Sequence, residues 1–590
     1  LTGFFYGLPG GGHVGPILLA LLVGLATGAG AVLFRELIRL FNWLLLERVW
    51  GWATATLPYG RASLPLITGA GGLVVGLLSY YFAREAKGHG VPEVIAAIAV
   101  RGGVIRPRVA IIKSLASSIC IGSGGSAGRE GPIVQIGSSV GSALGQFFHL
   151  SSQRVKTLVG CGAAAGIAAT FNAPVAGALF SLEIILGDFG FGNFAPVVIS
   201  SVVAAAVGRW YFGDMPSLTV LHFHQRSWLE FPLYALLGVV IGIASVIFTR
   251  SLYAQEDLYD KILAAIPPPV RTMLGGALVG VAGIFLPGIL GTGYGPIDVA
   301  VAGIYTLPLL LVLAGSKLFA TTTTLGSGGS GGIFAPSLFM GAMLGGAAGF
   351  LFQHIFPGVT AQPGAYALVG MGAMVAGATH APLTAVVILF EMTDNYSIIL
   401  PLMTAVVVAL IVSKRLCAQS IYTLKIERAG IHLREGKDVD ILKSIEAREI
   451  MRRDFETVYA GTRFKDLLKF LGEARQHSFP VVDASGKLVG VISLRNLRRW
   501  LNEPSVSDIV VAEELAKKDI LTVQEDETLY TVWDKFERLD VGSLPVVAAD
   551  EPKRLVGLLF REDAYAAYAS RTVGAWAERR GDKRAKPPGR

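Results

Sequence analysis

Glu130 is the residue of this chain best placed to do chemistry. It stands in a glycine-rich stretch, GSGGSAGREGP (residues 122–132), beside Arg129 and amid sequence apolar enough to span a bilayer. A turn of this kind that ends in proline suits a helix start, because the first helical position needs no N–H donor. Helix starts carry roughly half a positive charge and unpaired amide donors, and glycine lets a ligand come close to them. The chemistry on offer is anion binding by backbone amides. The carboxylate beside them can balance Arg129, sit as an ordinary helix-start charge, or compete with a bound anion.

The stretch has a twin, and the pair points to the elements that must hold it. GSGGSGGIFAP (326–336) repeats the first five residues, the seventh and the final proline. Lys113 and Lys317 each stand nine residues ahead of their loop, and Gly137, Gly141 and Gly145 correspond to Gly341, Gly345 and Gly349. NAPVAGALFSLE (172–183) matches HAPLTAVVILFE (380–391). One half of the apolar region therefore repeats the other. Five short turns end in proline before an apolar run: GHGVP (88–92), GREGP (128–132), FNAP (171–174), GIFAP (332–336) and THAP (379–382). Each is expected to aim a helix start at the protein interior. Transport proteins commonly build a central site from two inverted halves with helices that stop partway. A cation pathway would want rings of carboxylates or carbonyls, yet residues 318–390 contain no Asp, Glu, Lys or Arg.

Composition agrees with a polytopic helical membrane protein. Of 590 residues, 52% are hydrophobic and 16% charged, and the mean hydropathy is +0.56. Gly15–Phe34, Pro65–Ala83, Phe231–Thr249, Val299–Ser316 and Ser397–Ser413 are uncharged runs of spanning or near-spanning length. Most of the 73 glycines are expected to serve close helix packing. The basic cluster Lys414, Arg415, Lys425, Arg428 suits a cytoplasmic end for the last span. The net charge of +8 says little about the pore, and its basic residues form no stripe interleaved with aromatics, so no nucleic-acid partner is expected. Cys120, Cys161 and Cys417 have no metal spacing. The chain starts at a leucine, which is expected to reflect trimming, and no cleavable signal peptide is evident.

With the repeat and these turns in view, residues 15–425 resemble the CLC chloride channel/transporter family. GREGP and GIFAP stand in that family's form, GHGVP takes the place of its GSGIP loop, and EMTDNY (391–396) and IYTL (421–424) complete the pattern. The resemblance implies a homodimer with one anion pathway per subunit. It also implies a central site built from the amides of Ile333 and Phe334 and the Tyr422 hydroxyl, flanked by His89, Gly90, Val91 and Gly131. Glu130 would gate that site: its carboxylate fills the anion's place and swings aside when protonated. Two departures matter. His89 stands where chloride-selective members have serine, and it can either offer an N–H to the anion or bond elsewhere. Ile184 stands where antiporters carry their internal proton glutamate, so channel-like or weakly coupled transport is expected, with proton-coupled exchange of chloride, nitrate or another anion as the alternative. Glu183 and Glu391 are expected to pair with helix ends.

Beyond Lys425 the charges become frequent and the apolar runs shrink to strand length. HSFPVVDASGKLVGVISLRNLRRWL (477–501) and VGSLPVVAADEPKRLVGLLFREDAYAAY (541–568) repeat a helix–strand–turn–strand–helix pattern. They resemble paired CBS domains, which often bind adenine nucleotides. The first copy has Ser493 but Asn496, the second Asp563 but Phe560, so each keeps part of the nucleotide pattern. A structural, dimerising tail is weighed slightly above a nucleotide-binding one, and no other cofactor is expected.

The expected fold is an all-α polytopic membrane domain of two repeated, inverted halves with broken helices, plus a cytoplasmic α/β CBS pair. Its segments are 1–14 (N-terminal), 15–215 and 216–425 (membrane repeats), 426–445 (linker), 446–503 and 504–570 (CBS copies) and 571–590 (basic, disordered tail). Two rivals are disfavoured. A CBS-bearing cation transporter lacks acidic rings here, and an enzyme would need the Gly-Lys-Ser/Thr ending of a phosphate loop or a base beside Ser126.

Overall fold

Prolines and left-handed residues cut the apolar sequence into helices of unequal length. The computed structural model describes residues 11–213, 226–429, 442, 445–473, 476, 478–493, 510–518, 520–539, 541–551 and 553–568. The segments 1–10 and 571–590, most of the linker and Asn496 lie outside the described residues.

Residues 1–433 form one unit and 434–590 a second. The first unit uses the same series of eight helices twice. The first series is α1 (Gly11–Asn42, running on through a π-helical stretch to Thr56), α2 (Leu64–Tyr81), α3 (Val91–Val100), α4 (Arg108–Gly122), α5 (Glu130–Phe147), α6 (Ser152–Phe171), α7 (Pro174–Phe180) and α8 (Phe191–Phe212). The second is α9 (Glu230–Ile262), α10 (Pro268–Phe285), α11 (Tyr294–Val301), α12 (Leu307–Gly326), α13 (Phe334–Ile355), α14 (Pro363–Thr379), α15 (Pro382–Thr393) and α16 (Ile399–Leu416). A short α17 (Thr423–Arg428) follows. Among the described residues, eight helical stretches are long and apolar enough to cross a membrane. One expected run is divided. Val299–Ser316 breaks between α11 and α12, where Gly303 takes a φ of +72° and Pro308 sits in the first turn of α12. Equivalent breaks close α6 at Asn172 (φ 59°) and α14 at His380 (φ 60°).

Glycine faces hold the breaking-point helices tightly together. Gly137 of α5 packs on Gly162 of α6, and Gly341 of α13 on Gly370 of α14, so closely that a methyl at any of them would run into the opposite backbone. That contact substitutes dispersion for the hydrophobic drive that lipid cannot supply between helices. The breaks place α5 and α13 start to start. Gly128 and Gly332, just before them, exchange N–H···O bonds of 2.7 and 2.6 Å as an antiparallel bridge. The two chain segments meet there in opposite directions, as inverted halves require. Side chains repeat the exchange: Ser117 bonds Ser330 at 2.9 Å, and their repeat mates Thr321 and Ser126 bond at 3.0 Å.

The second unit contains two three-stranded sheets of the same design. In one, β1 (Val458–Tyr459) pairs parallel with β2 (Ser478–Val482), which pairs antiparallel with β3 (Leu488–Ser493). In the other, β4 (Val523–Gln524), β5 (Ser543–Val547) and β6 (Leu555–Phe560) do likewise. The two copies are interlocked rather than strung together. Ile445 and Ala447, which precede the first sheet, are buried in the core of the second, and Arg452 bridges to Leu558 on β6.

Candidate anion site

Two buried lysines fix the turns that surround the central bridge. Lys113 of α4 donates from Nζ to the carbonyls of Ala86 (3.0 Å) and Gly88 (2.7 Å). Its repeat mate, Lys317 of α12, donates to Ile289 (3.0 Å) and Gly291 (2.9 Å). Both side chains are fully buried. An ammonium spent on two carbonyls lets the adjoining chain turn sharply without orphaned acceptors. In each case the turn passes through a left-handed glycine, Gly90 at φ 86° and Gly293 at φ 85°, before a helix begins.

From one side the turn brings His89, Gly90 and Val91 against the start of α5. A methyl on Gly131 would strike the His89 carbonyl, and one on Gly90 would press the Gly131 carbonyl at 3.0 Å. Ile333 and Phe334 open α13, both buried, and no protein acceptor takes either amide among the described residues. The Phe334 ring lies 5.6 Å from that of Phe171. Tyr422, 2% exposed, immediately precedes α17, and its ring is 5.9 Å from that of His89. Tyr253 of α9 donates its hydroxyl to the Ile421 carbonyl at 2.5 Å, which ties this segment down.

That bond also orients His89. With the Tyr253 hydrogen committed, the 3.4 Å contact between Tyr253 and His89 Nε2 takes the imidazole N–H as donor. The other nitrogen, Nδ1, is buried without a partner among the described residues.

Glu130 closes the arrangement. Its carboxylate is 1% exposed. Oε2 accepts the Ala335 amide of α13 at 3.3 Å, and Oε1 accepts the Tyr294 hydroxyl of α11 at 2.8 Å. Arg129 approaches Oε1 only to 3.9 Å. The carboxylate of one half thus sits on the helix start of the other, among amides that suit a small anion. Composition and motif spacing singled out neither Ala335 nor Tyr294. The available signal was GTGYGP (291–296), a sixth proline-ended turn and the mate of GHGVP, hidden by one inserted glycine.

Residues 71–414 match the family model described as voltage gated chloride channel. The chain belongs to this family. The second unit matches the CBS domain at residues 447–503 and 511–570. Among relatives, the H(+)/Cl(-) exchange transporter ClcA of Cronobacter sakazakii is 33% identical over 70% of this chain and 89% of its own length. The chloride channel protein CLC-f of Arabidopsis thaliana is 28% identical over 92% of this chain and 79% of its own. A solved slow cyanobacterial Cl-/H+ antiporter superposes with a TM-score of 0.66 at 27% identity, covering 70% of this chain and 97% of that one. A eukaryotic CLC transporter shares the fold over 93% of this chain and 97% of its own, at a TM-score of 0.66 and 22% identity. The protein is accordingly a multi-pass membrane anion transporter with cytoplasmic CBS domains, not an enzyme.

The remaining candidate residues have their own surroundings. Ile184 sits in the π-helical turn Ser181–Leu186 that continues α7 and packs against the membrane core. Its neighbour Glu183 accepts the amides of Leu383 (3.2 Å) and Thr384 (2.8 Å) and the Thr384 hydroxyl (2.6 Å) at the start of α15. Glu391 returns the favour, accepting Val175 (3.1 Å) and Ala176 (2.7 Å) at the start of α7. Each carboxylate caps the other half's helix. In the tail, Ser493 ends β3 opposite Ser478. Asp563 is held by Arg452, whose Nε and terminal nitrogen donate to it at 2.6 and 2.8 Å. Those bonds, with Glu562, hold the guanidinium above its usual range, and it lies 4.5 Å over the Phe560 ring.

Proposed function

We propose that the protein works as a homodimer, each subunit carrying its own chloride pathway through the site between α5 and α13, with Glu130 as gate. The observation that carries this reading is the Glu130 carboxylate resting on the Ala335 amide at the head of α13. A charged carboxylate there excludes chloride. Protonation removes its charge and its hold on the amide, and an anion takes the vacated donors together with the Ile333 and Phe334 amides and the Tyr422 hydroxyl. His89, Gly90, Val91 and Gly131 shape the approach. In the tautomer that Tyr253 selects, neutral His89 turns a lone pair out at Nδ1, whereas the protonated ring turns out an N–H. An anion contact there belongs to the protonated ring.

Transport is channel-like or weakly coupled, because Ile184 carries no proton. The second reading is proton-coupled exchange by another route, favoured by relatives named as H(+)/Cl(-) exchange transporters. Chloride flux from proteoliposomes with simultaneous proton recording separates the two: uphill proton movement driven by a chloride gradient establishes exchange. Glu130→Gln is expected to give flux independent of external pH, and an unchanged pH dependence would refute the gate. The CBS pair serves as a structural module. Its one nucleotide-type carboxylate, Asp563, is already committed to Arg452, so a bound adenine nucleotide would first have to break that pair.

A further inference from the structure

The Tyr294 hydroxyl makes the shortest contact to Glu130, at 2.8 Å, and it comes from a turn built to deliver it. Gly291 and Gly293 repeat Gly88 and Gly90 in conformation, and Lys317 anchors Gly291 as Lys113 anchors Gly88. In the first half this turn sets Val91 at the head of α3, and in the second it sets Tyr294 at the head of α11. Where the first copy supplies an apolar side chain, the second supplies a hydrogen-bond donor aimed at the carboxylate.

We propose that Tyr294 is a latch, a positioning residue that holds the ionised Glu130 in its seat and sets the external pH at which the gate releases. The inference rests on the reading of Glu130 as gate. Its geometry favours a latch over mere packing. Tyr294 is partly buried against the membrane core at the head of its helix. Its hydroxyl reaches Oε1 while Arg129, lying 5.2 Å over the same ring, leaves Nε without a hydrogen-bond partner among the described residues. The nearest positive charge thus steadies the tyrosine, and the tyrosine bonds the carboxylate. A phenol donates more strongly to a carboxylate than to a neutral acid, so the bond is present in the closed, charged state and weakened once Glu130 is protonated.

Other charged or titratable groups also face this centre. Lys317 of α12 and Tyr422 ahead of α17 lie within electrostatic range of Glu130, and Arg35 of α1 lies within range of Arg129 and Tyr294. None of them donates a hydrogen bond to the carboxylate among the described contacts. Removing the Tyr294 hydroxyl alone leaves their fields in place.

The test is the external-pH profile of chloride flux in proteoliposomes for wild type, Tyr294→Phe, Glu130→Gln and the double variant, each normalised to its acid plateau to cancel differences in folded protein. Loss of the latch lets the gate release at lower proton concentration. The Tyr294→Phe midpoint is expected to move to alkaline pH by about one unit, a roughly tenfold change in the acid required, and the double variant is expected to match Glu130→Gln. An unmoved midpoint beside a pH-independent Glu130→Gln overturns the latch and leaves the gate standing. A shift that survives in the Glu130→Gln background also overturns it. A Glu130→Gln protein that still responds to pH removes the gate, and the latch with it.

Discussion

Replacing Gly128 by alanine tests the seat of Glu130 while leaving residue 130 a glutamate. A methyl at this position would overlap Glu130 Oε2, the far end of a flexible side chain, and would press the Ala335 amide at 3.1 Å. The carboxylate yields more readily than the backbone, so the Ala335 hydrogen bond at 3.3 Å is the interaction lost. A hydrogen bond to a charged group is worth about 1.5–3 kcal/mol. This one is longer than the usual range of roughly 2.7–3.2 Å, so the lower end applies, about 1.5 kcal/mol, or about tenfold in the closed-to-open ratio. The Tyr294 bond to Oε1 remains, so the closed state is weakened rather than abolished. Chloride efflux from proteoliposomes at alkaline and acid external pH provides the assay. The alkaline-to-acid flux ratio should rise severalfold to tenfold in Gly128→Ala, and the substitution should have no further effect on the ratio in Glu130→Gln. Taking a ratio cancels any narrowing of the pathway by the methyl. A ratio equal to wild type would mean that the carboxylate does not close the pathway from this seat.

Further outcomes follow from the same contacts. His89→Ser should shift the chloride/nitrate permeability ratio measured from reversal potentials or paired efflux, and an unaltered ratio would turn the imidazole away from the ion. Glu183→Ala strips the Leu383 and Thr384 amides and the Thr384 hydroxyl of their acceptor. It should destabilise the protein by about 2–4 kcal/mol, read as a lower thermal midpoint in detergent, while the pH response of the flux is retained. Loss of that pH response with unchanged stability would make Glu183 part of the transport route instead of a helix cap.

The doubled series of helices was legible before any coordinates, because glycine and proline leave their marks at fixed spacing: GSGGS at 122 and 326, Lys113 and Lys317, NAP and HAP. Backbone conformation and local hydrogen bonding are short-range, and residue type largely dictates them. That is why the helix starts and the charge-free interior follow from the linear order, whereas the individual anion donors come only from the family resemblance. The alternating pattern of the tail likewise reveals two copies of one small α/β unit. Hydropathy, by contrast, merged α11 and α12 into one run, since Gly303 and Pro308 lower no window's apolarity enough to show the break.

Only the tertiary structure decided which partners meet. Glu130 and Tyr294 are 164 positions apart, and Glu183 and Thr384 are 201 apart, so no local rule pairs them. The inversion of one half against the other determines those distances, because it brings two helix starts to one point and crosses every short-range device onto its counterpart's helix. For the same reason Ile445 and Ala447, at the sequence start of the first CBS copy, are buried in the core of the second. Residue type supplied the donors and the charges; the fold chose which charge rests on which donor.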